Sequence, residues 1–364
     1  MGGSKGLSMK ERIYVCHTYY HVYVTFLKEL NLPAEKRGQA TLLLSKMSID
    51  FEQLKERVES TGLFEQVLEY DEKRDDFFPE LKKYNQDKGN IVLNMFSRIR
   101  FTKMLAKLNA PYIPVNFKEY GDIYVYCDSD PIGYYLNWKR IPYHAVEDGL
   151  DTLVYSDDAR YDNRGHFKLK VFFSRNLNLI FIQNGYGKYC IDMEVNNIAA
   201  IPYPCPRYVE QPRQALLNGL NQEDKNLILQ AFIRDKEKLE QQIQESSRIG
   251  DKILVLTEPL CELNVREKIF RDIIERYEKE GTIFIKPHPR DALDYRELFS
   301  EYPQFDATVP MEVLGFFPKL HFRKAVGVLT EMKGISFADE IERLGPDFMD
   351  DYEDALIHRQ NEQI

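Results

Sequence analysis

Short apolar runs alternate with amphipathic segments along most of this 364-residue chain, and this alternation is the feature that most restricts its fold. Residues 12–16 (RIYVC) predict a buried strand, and a short loop then leads into an apolar-periodic helix at residues 22–30. Strands that alternate with helices pair in parallel, because each helix returns the chain to the same edge of the sheet. The first 150 residues therefore predict an α/β unit with a mostly parallel sheet. Its remaining segments are 40–44, 51–60, 64–69, 91–95, 98–108, 122–127, 132–138 and 142–147.

A second alternating series begins at residues 252–256 (KILVL). It continues through a predicted helix at residues 265–277 and predicted strands at 282–285 and 325–329. Two such series predict two α/β domains. Ligands of such folds bind outside the carboxyl ends of the strands, so the expected site is a cleft between the carboxyl ends of the two parallel sheets.

The segments around these series are less regular. Residues 151–215 are rich in Tyr, Asn, Gly and Pro, and we interpret them as the rim of the first domain. The polar helix at residues 222–245 is typical of an inter-domain linker or surface helix, and the acidic tail at 347–354 predicts a surface helix. The predicted organisation is a disordered lead or tag at 1–8, a first domain at 9–215, a helical linker at 216–250 and a second domain at 251–364.

Composition narrows the class of partner. A net charge of -9 argues against broad nucleic-acid binding, which needs a basic face to displace counterions. Five widely spaced cysteines favour free thiols in a reducing cytoplasm, and neither a membrane span nor a signal peptide is expected. The chain has no GxGxxG after the first strand and no GxxxxGK[ST] loop, which argues against hydride transfer and a P-loop kinase. We therefore expect a cytoplasmic protein with a small-molecule partner.

The most specific local pattern is Lys286-Pro287-His288-Pro289-Arg290, which directly follows a predicted strand. Each proline fixes its own φ and restricts the residue before it, so the imidazole is presented from a stiff loop. Lys286 and Arg290 supply positive charge, and His288 can give a proton or a hydrogen bond to a departing oxygen. The pattern predicts a phosphate-binding loop.

Two shorter acidic motifs could complete an active site. Glu147-Asp148-Gly149 follows a predicted strand, and repulsion between adjacent carboxylates can raise one pKa towards the range of a useful base. Glu312, in the sequence PMEVL, could accept hydrogen bonds from ribose hydroxyls.

Together these motifs resemble those of the bacterial sialyltransferases. The segments at residues 16–21 (CHTYYH) and 256–260 (LTEPL) are most similar to glycosyltransferase family 52, which includes lipooligosaccharide and capsule sialyltransferases. The resemblance spans most of the chain. It implies a GT-B fold, in which two Rossmann-like domains have parallel sheets facing a central cleft. It also implies transfer of sialic acid from CMP-sialic acid with inversion, and no metal or other cofactor.

The resemblance also implies roles by position. Glu147 or Asp148 would be the general base, with Glu147 favoured, and Glu262 is a further candidate. His288 would protonate or hydrogen-bond the leaving CMP phosphate, and Glu312 would hold the cytidine ribose. The other residues implied for the donor are Thr257, Lys286, Pro289, Arg290, Thr330 and Ser336. Those implied for the acceptor side are His17, Thr18, Tyr19, Asp128 and Ser129.

One position departs from the family. Serines, or Ser-Thr, usually follow the last strand and bind the donor phosphate, whereas this chain has Val328-Leu329-Thr330-Glu331 there. Thr330 could replace one hydroxyl, but Glu331 would repel a phosphate if it pointed inward. A non-catalytic sugar- or nucleotide-binding protein on a degenerate transferase scaffold is therefore an alternative.

A metal-dependent transferase is a second alternative. Asp128-Ser129-Asp130 follows the predicted strand at 122–127, where two carboxylates could hold Mg²⁺ or Mn²⁺ against a nucleotide diphosphate sugar. That interpretation leaves the loop around His288 unexplained, so sialyl transfer is the leading prediction. The resemblance further implies a glycan acceptor, a homodimer and peripheral association with the inner face of the cell membrane. The identity of the acceptor and the linkage stay open.

Overall fold

The computed structural model describes residues 9–149, 153, 165–246, 250–330, 332 and 335–354. Contacts within the chain define two compact units, Met1–Asn221 and Gln222–Ile364. The division lies a few residues beyond the predicted end of the first domain, and it assigns the polar helical segment at 222–245 to the second unit. Every strand pairing found in the described residues is parallel.

The first unit contains a seven-stranded sheet. Its strands are β1 (Lys10–Cys16), β2 (Ala40–Ser45), β3 (Gln66–Tyr70), β4 (Tyr120–Tyr126), β5 (Tyr143–Val146), β6 (Cys190–Val195) and β7 (Tyr208–Glu210). They are ordered β3-β2-β1-β4-β5-β6-β7, so the chain changes direction across the sheet between β1 and β4. Connections leave the carboxyl ends of these two strands towards opposite sides, which opens a crevice where ligands of α/β folds bind.

Helices of the first unit cover the sheet and supply one wall of a cavity. They are α1 (Tyr19–Leu30), α2 (Leu54–Ser60), α3 (Lys82–Asn85), α4 (Ile91–Asn109), α5 (Pro131–Lys139), α6 (Phe167–Val171) and α7 (Arg213–Asn218). The apolar segment at 91–95 is the first part of α4, because the Asn90 side chain accepts hydrogen bonds from the backbone N–H groups of Val92 and Leu93 and starts the helix there.

The second unit contains a four-stranded sheet with the same design. Its strands are β8 (Lys252–Leu256), β9 (Thr282–Lys286), β10 (Phe322–Val328) and β11 (Ala338–Leu344), and its helices are α8 (Gln222–Phe232), α9 (Lys236–Ser246), α10 (Leu263–Tyr277), α11 (Tyr295–Leu298), α12 (Met311–Leu314) and α13 (Pro346–Met349). The strand order is β11-β10-β8-β9, so the change of direction falls between β8 and β10. The long helix predicted at 222–245 is two helices, and the helix predicted at 347–354 is only the short α13.

Three strands were not predicted. β6 and β7 lie within residues 151–215, where the sequence predicts an irregular rim. β11 lies in a charged segment. β7 and β11 are edge strands, so their sequences, YVE and ADEIERL, carry exposed polar side chains and lack a continuous apolar run. In contrast, β1 and β2 lie inside the sheet, are almost wholly buried, and were recognisable from their apolar sequences.

A buried ion pair anchors β1 to α1. Nε of Arg12 donates to a carboxylate oxygen of Glu29 at 2.7 Å, and the hydroxyl of Tyr14 donates to the same carboxylate at 2.8 Å. This contact holds the last turn of α1 against β1. Within the part of the chain that the structure describes, no helix has the length and apolar character needed to cross a bilayer.

Candidate active site

One group of candidate residues lies at the carboxyl ends of the central strands of the first sheet. His17 directly follows β1, Cys127 and Asp128 follow β4, and Asp148 lies two residues beyond β5. Glu72, two residues beyond β3, belongs to the same group. Because all these strands are parallel, the loops that follow them meet at one edge of the sheet, beside the point where the strand order changes direction.

His21, on the first turn of α1, holds Asp148 through one defined tautomer. The backbone N–H of His17 donates to Nδ1 of His21 at 3.0 Å, so the single proton of the neutral ring lies on Nε2. Nε2 then donates to Oδ1 of Asp148 at 2.7 Å. The ring stacks on Tyr126 with a centroid distance of 4.6 Å, and burial lowers the pKa of His21, which keeps the ring neutral. His21 therefore orients the Asp148 carboxylate.

Asp148 is an accessible carboxylate that is held from one side. Oδ1 also accepts a hydrogen bond from the Cys127 thiol at 2.8 Å, and the side chain is 44% exposed. Burial raises the pKa of Asp148. The hydrogen bond from His21 and the charges near Asp148 outweigh burial, and they hold the pKa well below its ordinary value. Burial raises the pKa of the Cys127 thiol, which therefore stays protonated as a donor. Asp148 is ionised at neutral pH and faces solvent.

Glu147 has a different environment. Its side chain is buried, and Oε1 lies 3.8 Å from Nη2 of Arg213. A buried carboxylate beside an arginine cannot meet an acceptor hydroxyl unless the loop moves. Burial thus favours Asp148 over Glu147 as the accessible carboxylate, which is the reverse of the sequence-based preference.

His17 is the centre of a buried ion-pair network that includes a residue missed in the sequence, Glu72. Nε2 of His17 lies 2.8 Å from Oε2 of Glu72 and 3.4 Å from Oδ2 of Asp130. Glu72 also accepts hydrogen bonds from the Ser45 hydroxyl and the Ile132 backbone N–H, at 2.8 and 2.6 Å. Burial lowers the pKa of His17, but the charges of Asp130 and Glu72 outweigh it and raise the pKa to about 9. A charged His17 therefore joins the loops after β1, β3 and β4.

Two residues predicted for the acceptor side have structural roles. The Thr18 hydroxyl accepts a hydrogen bond from the backbone N–H of His21 at 3.2 Å and so caps α1. The Tyr19 hydroxyl donates to the carbonyl of Phe51 at 3.0 Å in the interior of the unit. Both support the loop that carries His17, and Tyr19 does not line an open site.

The Asp-x-Asp motif is divided between two environments. Asp128 is buried, and its two carboxylate oxygens accept hydrogen bonds from the Tyr143 hydroxyl at 3.0 Å and the Asn184 backbone N–H at 2.8 Å. Burial raises the pKa of Asp128 to about 6. Ser129 and Asp130 instead line a cavity of about 1010 Å³. The two aspartates therefore do not present a shared open face to a divalent cation.

One cluster has the chemistry of a metal site. His17, His21 and Cys127 offer ligand atoms that all lie within 4.8 Å of one another. Nε2 of His21 could bind a metal only if its proton moved to Nδ1, where the His17 backbone N–H already donates. The hydrogen bonds of this cluster thus fit a proton-bearing His21–Asp148 pair better than a metal centre.

A second group of candidate residues lies at the carboxyl ends of β8, β9 and β10. The backbone N–H of His288 donates to Oγ1 of Thr257 at 3.0 Å, which ties the loop after β9 to the end of β8. The backbone N–H of Arg290 donates to Nδ1 of His288 at 3.1 Å, so the ring proton lies on Nε2. Burial, and then the charges of Arg290 and Lys286, lower the pKa of His288 to about 4. The ring is neutral at pH 7 and carries an Nε2–H donor.

Lys286 lies beneath this loop and not beside a ligand position, in contrast to its predicted donor-binding role. Its side chain is buried, and Nζ donates to the carbonyls of Pro287 at 2.8 Å and Ala307 at 3.0 Å. Burial lowers the pKa of Lys286 to about 8. Pro289 and Arg290 are the exposed residues of the loop. Lys286 therefore clamps the loop, and Arg290 is its accessible cation.

Glu258 and Thr330 lie at the point where the second sheet changes direction, just beyond β8 and β10. Oε1 of Glu258 lies 3.9 Å from Nε2 of His288, and burial raises the pKa of Glu258. The Thr330 hydroxyl, just beyond β10, donates to the carbonyl of Val328 at 3.1 Å. Glu258 was not among the predicted site residues, although it lies in the family-like segment LTEPL. Glu331 lies outside the described residues.

The remaining predicted residues lie on other elements. Glu312 is part of α12, and burial raises its pKa. Ser336 is exposed beside Gly315, at the end of the same helix. Glu262 is exposed at the N-terminal boundary of α10 and its side chain does not cap that helix. The hydrogen bonds and ion pairs of the described residues do not join any of these three to His288.

Solved structures share this architecture. An alpha/beta-galactoside alpha-2,3-sialyltransferase from Photobacterium phosphoreum is 13% identical and matches with a TM-score of 0.51 over 91% of this chain and 89% of its own. A 2,6-sialyltransferase from a Photobacterium species, in complex with CMP and lactose, is 11% identical and matches with a TM-score of 0.53 over 92% of this chain and 71% of its own. The two parallel-sheet units thus define a GT-B glycosyltransferase fold, as predicted.

The family follows from the sequence match. The model of glycosyltransferase family 52 matches residues 46–323, which is more than half of the chain. This chain belongs to glycosyltransferase family 52, and the prediction of that family is confirmed. An uncharacterised protein of Haemophilus influenzae is 41% identical over 71 residues, but that match covers only 18% of this chain and 23% of the relative.

Proposed function

We propose that this protein is an inverting, metal-independent sialyltransferase that moves sialic acid from CMP-sialic acid to a galactose hydroxyl of a bacterial surface glycan, such as a lipooligosaccharide or a capsule polysaccharide. The family 52 match over residues 46–323 carries the proposal. Support comes from two proteins that share the fold: one is named for galactosides, and the other was solved with CMP as donor product and lactose as acceptor substrate.

In this proposal, His288 acts on the leaving group. The bond between C2 of sialic acid and the CMP phosphate breaks, and negative charge grows on the departing phosphate oxygen. Nε2–H of His288 donates to that oxygen, while Arg290 supplies positive charge from the exposed part of the loop. Because Nδ1 already accepts the backbone N–H of Arg290, the ring acts as a neutral hydrogen-bond donor. It keeps its proton and stabilises the negative charge on the departing oxygen.

Asp148 acts on the acceptor. The acceptor oxygen attacks C2 from the face opposite to the leaving phosphate and forms the new glycosidic bond, so the configuration inverts. The hydroxyl proton passes to the carboxylate of Asp148, which His21 and Cys127 hold through Oδ1. A carboxylate with a low pKa is a weak base, so this transfer becomes favourable late, when the attacking oxygen has acquired positive charge.

The other donor contacts are proposed from position alone. Glu312 accepts hydrogen bonds from the cytidine ribose, and the hydroxyls of Thr330 and Ser336 bind the phosphate. Thr257 contributes by holding the backbone of His288, as its hydrogen bond of 3.0 Å supports. Glu258, close to Nε2 of His288, lies where it can accept a hydrogen bond from the ring or from a donor hydroxyl.

We also propose peripheral association with an anionic membrane surface, through α4. Its first turns carry side chains that are more than half exposed: Ile91, Val92, Leu93 and Phe96. Arg100, Lys103 and Lys107 follow Phe96 at helical spacing and are exposed as well, so they continue the same face. Interfacial helices bind in this way, by inserting apolar side chains and by attracting anionic headgroups. In vesicle co-sedimentation, Phe96→Asp should reduce binding to phosphatidylglycerol vesicles, whereas Ile341→Asp, on exposed β11, should not.

The proposal is tested by measuring CMP release from CMP-sialic acid with a panel of galactoside acceptors in EDTA. Wild type should turn over, and His288→Ala should lose most of that activity. Activity that appears only with Mn²⁺, or only with a nucleotide diphosphate sugar, would favour a metal-dependent transferase. If CMP-sialic acid binds but no acceptor promotes turnover, the chain is a non-catalytic binding protein.

A further inference from the structure

The first unit contains a cavity of about 1010 Å³ that the proposed chemistry does not use. Its lining includes Ser129 and Asp130, just beyond β4, which we call the Asp130 end, and the exposed side chains of Ile91 and Leu169, which we call the outer end. All of its described lining residues belong to the first unit. Asp130 connects the cavity to the proposed base, because its carboxylate lies 3.4 Å from His17, which in turn donates its backbone N–H to His21.

An aromatic side chain forms part of the cavity wall. The ring of Tyr134, on α5, packs edge-on against Phe181 at a centroid distance of 4.7 Å and lies 6.2 Å from Phe101. These contacts fix the orientation of the ring, while its half-buried surface lines the cavity together with Phe101. A preorganised aromatic surface gives large apolar contact at little cost in conformational entropy, and it suits the C–H face of a sugar ring.

Among the lining residues that the structure describes, the polar side chains have no dominant charge. It contains three Arg or Lys side chains and three Asp side chains, together with neutral groups such as Asn94, Ser97 and Gln183. A site for a nucleotide or another anion would instead show an excess of cations. An aromatic surface surrounded by mixed donors and acceptors therefore matches a neutral ligand with many hydroxyl groups.

The size of the cavity sets the length of such a ligand. Pockets of roughly 300–1,000 Å³ hold drug-sized molecules, a class that includes disaccharides. At about 1010 Å³ the cavity lies at the upper end of that range and has room for several sugar rings. A disaccharide placed at the Asp130 end would reach Tyr134, one helical turn further along α5, and would leave the outer end unfilled.

We infer that this cavity binds the inner sugars of an oligosaccharide acceptor at least three residues long. The terminal disaccharide lies at the Asp130 end and packs on Tyr134, and the inner sugars extend past Ser97 towards the outer end. This inference rests on the proposed function, since it assigns the acceptor of that reaction. Remote binding energy of this kind raises the specificity for the longer acceptor, although the reacting groups are the same.

The test compares N-acetyllactosamine with a linear tetrasaccharide that ends in the same disaccharide. For wild type, kcat/KM should be about tenfold higher for the tetrasaccharide, which corresponds to about 1.4 kcal/mol. Ser97→Trp, which fills the cavity from α4 without removing a packed side chain, should bring the ratio close to one. Tyr134→Ala should lower kcat/KM for both acceptors by a similar factor and keep the ratio, because both acceptors end in the same disaccharide.

Tyr135→Ala is the matched control. Tyr135 lies next to Tyr134 on α5 and is also half-buried, but its ring contacts Trp138 and Phe117 and does not line the cavity. This variant should keep the wild-type kcat/KM for both acceptors, and therefore also the preference for the tetrasaccharide. Circular dichroism of each variant establishes that it is folded.

A measurement without the donor separates this inference from the proposed function. In saturation-transfer NMR, the inner sugars of the tetrasaccharide should receive signal from wild type and from Tyr135→Ala, but not from Ser97→Trp. If that pattern appears and no acceptor is sialylated, the proposed reaction is wrong and the binding site stands. If sialylation occurs with equal kcat/KM for both acceptors in wild type, or if Ser97→Trp does not change the ratio, the inference is overturned and the reaction stands.

Discussion

Two histidines, one in each unit, are held in the same way. Nδ1 of His21 accepts the backbone N–H of His17, and Nδ1 of His288 accepts the backbone N–H of Arg290. Each bond leaves the ring proton on Nε2, so both histidines are preset as donors before any ligand binds. His21 uses its donor to hold Asp148, whereas the ion pair that the described residues offer to Nε2 of His288 is a longer one, to Glu258 at 3.9 Å. The first is a positioning residue, and the second is available to a substrate.

The identity of the base can be tested by isosteric substitution. Asp148→Asn keeps an oxygen that can accept from His21 but removes the negative charge, so kcat should fall by about 10²–10⁴-fold while KM changes little. Glu262→Gln, at an exposed position, should stay within a few-fold of wild type. Steady-state kinetics with a saturating acceptor measures both. A collapse in Glu262→Gln with near-normal activity in Asp148→Asn would reassign the base to the second unit.

The pKa of His288 can be shifted through its neighbour. Arg290 lowers the pKa of the free imidazole by repelling the imidazolium ion, so Arg290→Gln should raise it from about 4 by about one pH unit. NMR titration of the ring carbons measures this pKa directly. Lys319→Gln, which removes an exposed cation elsewhere in the unit, should leave the pKa of His288 in place. An unchanged pKa in Arg290→Gln would mean that burial and the charge of Lys286 lower it without Arg290.

The sequence predicted some of these residues and not others, for physical reasons. His288 was recognisable because its constraint is local: two prolines and two cations adjoin it. Glu72 was not recognisable, because its partner His17 is distant in sequence and the two meet only through the strand order β3-β2-β1. The choice between Glu147 and Asp148 also depends on burial, which adjacent residues at the end of a strand do not reveal.

At the scale of elements, the loop after β9 is fixed from below by Lys286. A buried ammonium group that donates to two carbonyls is a structural contact, and its removal leaves those carbonyls unsatisfied. Of the two cations in the sequence KPHPR, Lys286 is therefore buried and Arg290 is exposed. The sequence predicted both Lys286 and Arg290 as phosphate ligands, because a short charged motif does not show which side chain points into the interior at the end of a strand.

This division predicts a difference in stability. Lys286→Met should lower the free energy of unfolding of the second unit by about 1–3 kcal/mol, because two carbonyl partners are lost. Arg290→Gln, four residues further on and exposed, should change it by no more than about 0.5 kcal/mol. Urea denaturation followed by circular dichroism compares the two. Equal stability of both variants would show that the Lys286 contacts contribute little.

At the scale of the whole molecule, the class of fold followed from the sequence and the extent of each sheet did not. Two series of alternating strands and helices predicted two parallel α/β units, and the structure and its relatives confirm the GT-B fold. Two of the three strands that escaped prediction, β7 and β11, lie at sheet edges, where each has a neighbouring strand on one side and solvent on the other. The boundary was displaced because the polar helix at 222–245 packs as part of the second unit.

The two units should respond to different ligands. In hydrogen–deuterium exchange, CMP should protect the loops after β8, β9 and β10, and this protection should weaken in His288→Ala. An acceptor glycan alone should protect α4 and the loops after β4 and β5. Saturating ligand at about 100 times its Kd stabilises the state that it binds by about 2.7 kcal/mol, which is enough to slow exchange measurably. Protection of the first unit by CMP would contradict this assignment.

The proposed base of the first unit and the wall of its cavity come from separate parts of the chain. Asp148 follows β5 and is held by His21, whereas Tyr134 and Ser97 project from α5 and α4. Substitutions in these helices could therefore change the preferred acceptor glycan during evolution, while the residues that react stay the same. The same separation offers an engineering route: a library confined to the cavity-facing positions of α4 and α5 would sample new acceptors on an intact reaction centre.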